Sequence, residues 1–532
     1  MDLKRLLNTP IECAFSTEEK LSAEDLIKGL LDFGLFSEKV PPCFTSVGLA
    51  AAAKELLADD INDKNEKKLK ETIEKYSSDY IRYEALRDIN VPRHLGIPHP
   101  AAYAIQVLGI SQHWGEIFEH CNKPQPQFTR IYVRHIGNER VFEMNYKGCE
   151  KFEIEEKELE WMASAKYLVK ADIASCFPSI YTHSIPWALH GKEEAKKKSK
   201  ITALSGNFLD KVTQSIRDRQ TNGLLIGPHS SNVISEIVLT KIDCNLQSKG
   251  YSEVSRHIDD YTYYAKSHKE AERFLKDLGM SLREFEMSIN DKKTQILELP
   301  RASTENWIHR LNTFTFPNSG EIKFSTIGSY LDLALDCAHT LGKSTPLNYA
   351  IKTLSGKNDG NKLNERAKRM YTQAAVNLAL AYPYLAPLLD KFVFEKYPCR
   401  NQLEVIAKFS SSLIKLGLQK LYPDAIAHAI YYALRYKITL DITEEKLSEI
   451  ISLDDCLTNV VLLEYANINN LEEVKSALKD RSEKLKNSKS KREIAKNWLL
   501  AYQQWTEKDL EGNDQQFLAK LKEMGIKFLV IP

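Results

Sequence analysis

The stretch SRHIDDYTYYAKS, Ser255 to Ser267, sets two adjacent aspartates, Asp259 and Asp260, between apolar flanks. Ile258 precedes them, and Tyr261, Tyr263 and Tyr264 follow. β-Branched and aromatic residues on both sides predict a strand, a turn and a second strand, with the carboxylates at the tip. An acidic pair on an open surface is solvated by water; a pair carried at a sheet edge needs another reason. Asp172, in LVKADIASCFPSI (168–180), also closes a β-rich run. If the two strands are neighbours, Asp172 and Asp259 converge. Carboxylates so placed repel by several kcal/mol unless cations lie between them. Two hard Mg²⁺ ions about 4 Å apart would offset that repulsion and clamp the attacking and leaving oxygens of a phosphoryl transfer.

Around this centre the chain changes texture twice. Residues 1–125 read as mostly helical, with Ser22 as an N-cap, VGLAAAAKELL through IRYEAL as one charged helix-forming run, and NVPRHLGIPHP (90–100) as a proline-punctuated loop. FTRIYVRHI and RVFEMNY alternate as strands do, YLVKADIA (167–174) and KTQILELP are short strands, and NTFTFPNSGEIKFS reads as a hairpin. KEEAKKKSK (192–200) and KLKNSKSKR (484–492) read as solvated basic stretches, with nucleic-acid contact as the other reading. Beyond about residue 325 the pattern is amphipathic helix throughout, suggesting an irregular helical array. The expected architecture is therefore α+β over 1–325 followed by an all-α region over 326–532.

Composition bounds the function. The 532 residues carry 73 Lys and Arg against 72 Asp and Glu, so a globally basic nucleic-acid binder is not indicated. Nine scattered cysteines without a CxxC pair argue for reduced thiols in a cytosol, and no apolar run is long enough to span a membrane. The opening residues lack the apolar core of a signal peptide.

Four segments in order resemble the fingers and palm of reverse transcriptases, over about residues 30–325. ADIASCFPSI is similar to motif A, TNGLLIGPHSSNVISEIVLTKID (221–243) to motif B, RHIDD to motif C and MSINDKKTQI, with Asn290, Lys293 and Thr294, to motif D. LGIPHP resembles a fingers segment of the same enzymes. The resemblance implies Asp172 and Asp259 as metal ligands, the Ile173 carbonyl as a backbone ligand and Asp260 as an ancillary carboxylate. It implies Phe177 as the ring that excludes a ribose 2′-OH, so that dNTPs are the substrates. Gly227 would let backbone approach the nucleotide, and Lys293 would neutralise charge or donate a proton to pyrophosphate. Lys293 also fits a solvated strand-end lysine. Arg93, Arg130 and Arg134 fit triphosphate contacts and structural ion pairs equally well. His257 stands where the family has Tyr, and Ile226 where it has Gln or Pro.

A palm of this kind followed by helices in place of a thumb resembles the bacterial abortive-infection polymerases, as does GLFSEKVPPCFTS (34–46). That resemblance implies two Mg²⁺ ions, with Mn²⁺ as a substitute. It also implies single-stranded DNA made without a template on a protein hydroxyl, a trimeric or hexameric homo-oligomer, and a cytoplasmic role in phage defence. A conventional RNA-templated reverse transcriptase and a non-catalytic scaffold are the competing classes.

Overall fold

The computed structural model describes residues 21–88, 91–121, 151–302, 305–317, 321–357 and 363–531. The strands expected over 128–146, together with Arg130 and Arg134, lie outside the described residues.

Helix α1 (Ala23–Phe33) begins where the Ser22 hydroxyl accepts the Asp25 N–H at 3.0 Å, and it stops at Gly34. Helices α2 (Leu49–Ile61) and α3 (Glu66–Tyr76) follow. The helical expectation then fails. Tyr80–Asp88 is strand β1, and the proline-rich stretch expected as a loop is strand β2 (Val91–Pro98), paired antiparallel in the register Tyr80↔Pro98. Ile81, Tyr83 and Ala85 are buried while Arg82 and Glu84 are exposed, a period of two that no helix shows. The prolines are tolerated because this is a two-stranded ribbon: Pro98 ends its strand, and Pro92 lies beside the irregularity at Leu86/Asp88. Helix α4 (Pro100–Gln112) is buried at every residue from Pro100 to Ile110, so it is the central post of this region, and α5 (Trp114–Cys121) continues it.

The second sheet is antiparallel, in the order β4–β5–β3–β6. After α6 (Lys151–Ser164) comes β3 (Tyr167–Asp172), paired on both edges. The short α7 (Cys176–Ser179), α8 (Ser184–His190), α9 (Lys192–Lys197) and α10 (Ser205–Ser215) lead to the long α11 (His229–Ser248). Within the basic stretch 192–200, read above as solvated, Lys192–Lys197 thus forms a helix, pinned by buried Ala195 and a Glu194–Lys198 ion pair of 2.7 Å. Strands β4 (Val254–His257) and β5 (Asp260–Ala265) flank the turn that carries Asp259. Helix α12 (His268–Arg283) covers the sheet with Ala271, Phe274, Leu278 and Leu282, the Phe274 ring stacking on Tyr263 at 4.4 Å. Strand β6 (Gln295–Glu298) closes the sheet's other edge.

From Asn306 onward the regular elements among the described residues are helices. The hairpin expected over 312–325 is not seen among them: Ile322 makes only an isolated bridge to Leu363, and a helix starts at Phe324. This helical region folds back on the β1–β2 ribbon. The Tyr83 hydroxyl and the Leu86 N–H donate to the two oxygens of Asp424, at 2.5 and 3.0 Å. Arg492 pairs with Asp79 at 3.0 Å, which commits part of the basic stretch 484–492 to an internal ion pair. Near the C-terminal end, the Val530 N–H donates to the Cys43 carbonyl at 2.8 Å. No helix among the described residues is long and apolar enough to cross a membrane.

Candidate active site

The pairing of the second sheet brings the aspartates together. Asp172 ends β3 directly opposite Asp260 of β5, and the pair His257↔Asp260 leaves Ile258 and Asp259 as a two-residue turn. Ile258 has φ +59°, a left-handed value that a β-branched residue takes only at a cost. The Ile173 N–H donates to the Asp259 carbonyl at 3.2 Å, so the turn is tied to the residue after Asp172.

The motif D segment wraps round Asp172. Asn290 donates its backbone N–H to the Asp172 carbonyl at 2.7 Å and its Nδ2 to the carboxylate Oδ2 at 2.8 Å. Lys293 Nζ donates to Oδ1 at 2.8 Å. Asp172 has only 8 % of its side chain exposed, whereas Lys293 has 60 %, so the lysine lies on the open side. Burial pushes the Asp172 carboxyl upward, but the bonds from Lys293 and Asn290 outweigh it and hold the group below the usual carboxylate range. Its neighbours go the other way. Asp259 is raised by burial and by the charge of Asp172. At Asp260, on the rim, loss of water from the carboxyl and then the charges of Asp259 and Asp172 push the value up to about 6.

Two further loops complete the wall. Past Ser175, which has φ +46°, α7 turns Phe177 toward the cavity, and the Phe177 carbonyl accepts the Leu224 N–H at 2.7 Å. The motif B loop is stitched to the fingers ribbon by Gly96 N–H donating to the Ile226 carbonyl at 2.9 Å. Gly227 follows with φ +130°, and a Cβ there would sit 3.3 Å from the Gly96 carbonyl oxygen, so a side chain is disfavoured by conformation and by space.

The result is one cavity of about 850 Å³ between ribbon and sheet. Asp172, Ile173, Phe177, Gly227, Asp259, Lys293 and Arg93 all line it, as do Ile226 and Asn290; Asp260, His257 and Thr294 are not part of the lining. Arg93 is shifted downward by burial and by Arg87, with Asp259 acting against both. Arg82, Arg87 and Arg217 also line the cavity and were not anticipated. Reading 80–88 as a strand would have exposed Arg82, because alternation sets it on the face opposite Ile81 and Tyr83. Arg217 shapes the loop before motif B, its Nη1 donating to the Gly223 carbonyl at 2.6 Å. No cluster of three or more His, Cys, Asp or Glu able to hold a metal occurs among the described residues.

Comparison with known proteins agrees with this geometry. Residues 110–336 match the family model for reverse transcriptase (RNA-dependent DNA polymerase), a segment that contains Asp172, Asp259 and Lys293. The chain therefore carries a polymerase domain of the reverse-transcriptase type, in an α+β fold extended by helices. No curated protein matches the sequence. Among solved structures, that of apo telomerase from Candida tropicalis is similar at 10% identity over 74% of this chain and 69% of that one, with a TM-score of 0.29, too weak a likeness to argue from.

Proposed function

We propose that the cavity transfers deoxynucleotides, building single-stranded DNA without a template on a hydroxyl of the protein itself, as part of phage defence by abortive infection. The observation that carries the transfer chemistry is the convergence of Asp172 and Asp259 at adjoining strand ends in one arginine-lined cavity.

The donor set suits Mg²⁺. It is made of hard oxygens, two carboxylates and the Ile173 carbonyl; burial and then like charge raise Asp259 and Asp260, and a divalent cation between them would relieve the repulsion. The Lys293 ammonium on Asp172 already shows that the position favours positive charge. Asp172, Asp259 and the Ile173 carbonyl would hold two Mg²⁺ or Mn²⁺ ions, which when bound supply activation of the attacking hydroxyl and charge stabilisation at the leaving group. Phe177, Gly227 and Arg93 line the same cavity: the Phe177 ring would exclude a ribose 2′-OH, Gly227 would let the protein backbone approach the incoming nucleotide or primer terminus, and Arg93 would meet the phosphates. Lys293, displaced from Asp172, neutralises or protonates the departing pyrophosphate.

Protein priming, absence of a template, self-association and the defence role rest on the resemblance of the palm-plus-helices arrangement to the abortive-infection polymerases. Tyr261 and Tyr263 are buried and unsuited to serve as the priming hydroxyl. The second reading is a conventional enzyme copying RNA, which the description of the matching family favours. Purified protein given Mg²⁺ and labelled dNTPs without nucleic acid separates the two. Label covalently fixed to protein is the expected result; incorporation only when a primer and template are added would replace the first reading with the second. Light scattering checks self-association, for which a mass well above the 60.8 kDa monomer is expected.

A further inference from the structure

Arg256, three residues before Asp259, is wholly buried, with 0 % of its side chain exposed. Its Nε donates to both oxygens of Asp243, at 3.1 and 2.9 Å, and its two terminal nitrogens reach the Glu236 carboxylate at 3.1 and 2.7 Å. The Tyr261 hydroxyl donates to Asp243 at 2.7 Å. These bonds satisfy the charges. As a source of stability, however, a buried ionic cluster is no better than apolar side chains of the same shape. One additional bond points to a use: Arg256 Nη1 donates to the carbonyl of Ile258 at 3.0 Å. Ile258 is the turn residue held at φ +59°, and Asp259 is the next residue. A β-branched residue keeps such a conformation only where its surroundings over-determine it.

The other end of the clamp is α11. Glu236 and Asp243 lie seven residues apart, two turns along one face, on the helix that begins two residues after Gly227. Gly227 lines the cavity, so the helix leading from the nucleotide side of the wall grips the guanidinium that grips the turn. The planar fork spreads five donors over three nitrogens and reaches two carboxylates and a carbonyl at once; an ammonium has three donors on a single nitrogen and cannot make all these bonds.

We infer that Arg256 is a positioning residue: held by Glu236 and Asp243 of α11, it fixes the strained Ile258 turn so that the Asp259 carboxylate faces Asp172 and the cavity. This rests on the proposed metal-dependent transfer, and it makes the motif B helix part of the support for a divalent cation.

The test compares Mn²⁺ affinity, read by electron paramagnetic resonance at the site that D259N abolishes, with melting temperature and with kcat and KM for dNTP, in the full-length protein. R256K keeps a cation for the two carboxylates but loses the fork. It is expected to melt between wild type and R256M, to bind Mn²⁺ about 10- to 100-fold more weakly, and to lose kcat with little change in KM. R256M alone leaves two buried carboxylates unpaired and is expected to destabilise the chain. The triple variant E236Q/D243N/R256M removes all three charges. It is expected to regain much of the lost melting temperature while Mn²⁺ affinity stays low. Recovery of both in the triple variant, or unchanged Mn²⁺ affinity in R256K, would show a purely structural cluster and overturn the inference. Wild-type protein that binds Mn²⁺ but incorporates no dNTP would refute polymerisation alone, and the affinity comparison would still decide the role of Arg256. Wild-type protein with no Mn²⁺ site would overturn both.

Discussion

Asp390, in the helical region, and Asp172, in the cavity, are both largely buried, yet the fold treats them differently. Asp390 accepts the hydroxyls of Tyr431 and Tyr436 at 2.9 and 2.5 Å and the guanidinium of Arg435 at 2.9 Å. Asp424, nearby in the same region, joins two parts of the chain through Tyr83 and Leu86. Asp424 has an acidic neighbour in Asp455, but each is served by the fold, Asp455 by the Thr458 N–H and hydroxyl at 2.8 and 2.7 Å. Asp172 instead meets Asp259 and Asp260, and its strongest cationic partner is a lysine whose side chain is 60 % exposed. Asp390 and Asp424 are supplied with donors from the fold; the carboxylates proposed here for chemistry are crowded with one another beside an open cavity. The contrast locates function where the electrostatics are locally unfavourable.

The largest effect that would sharpen this contrast is at Asp259. Asp259→Asn should cut dNTP incorporation by about 10³-fold or more, on the order of 4 kcal/mol in the barrier, while the melting temperature stays level or rises because repulsion is removed. Incorporation close to wild type would break the comparison. Asp424→Ala should do the reverse. It strands the Tyr83 hydroxyl and the Leu86 N–H, and should lower unfolding stability by about 2–4 kcal/mol in urea titrations, while the protein that remains folded still incorporates dNTP.

Asp455, fully buried in the helical region, gives a pH signature. Burial first, then the charges of Asp424 and Glu84 against the bonds from Thr458, push its carboxyl up to about 6. An unfolded aspartate titrates near about 3.9, so between these values the folded state holds a proton that the unfolded state lacks, and stability falls as pH rises from about 4 to about 6. Asp455→Asn removes that dependence. The stability of wild type minus that of the variant should drop by on the order of 2–3 kcal/mol across the window and be level above it. His99, held near 4 by burial, contributes with the opposite sign but cancels in the subtraction because both proteins keep it. The smallest effect is at Phe177, where Phe177→Ala should raise rNTP use relative to dNTP by about 10- to 100-fold, roughly 1.4–2.7 kcal/mol. Equal use of both sugars by the wild type would remove the steric argument.

Much of the site was legible because its parts are local. Asp172 and Asp259 each end a short β-rich run, and the ordered motifs tell which runs are neighbours. The ribbon at 80–98 was misread because Pro92 and Pro98 mask a strand and because the helix-rich run before Ser77 overshadowed the alternation in Tyr80–Arg87. The cavity arginines were hidden by that same error. Arg256 was quoted within the motif, but a buried guanidinium gripping carboxylates on another element leaves no periodic trace: its partners, Glu236 and Asp243, look like ordinary polar positions of a helix. Helix α9 was missed because a lysine-rich run shows its helical side only once Ala195 finds a surface to cover.

The central claim is that Asp172 and Asp259 form a divalent-metal site for nucleotidyl transfer. Anomalous diffraction from crystals grown with Mn²⁺ and a non-hydrolysable dNTP tests it most directly. The account predicts manganese peaks in contact with both carboxylates, the triphosphate beside Arg93, and Lys293 drawn away from Asp172. Ordered nucleotide and manganese bound elsewhere, with the Lys293–Asp172 pair intact and no peak between the two aspartates, would contradict it.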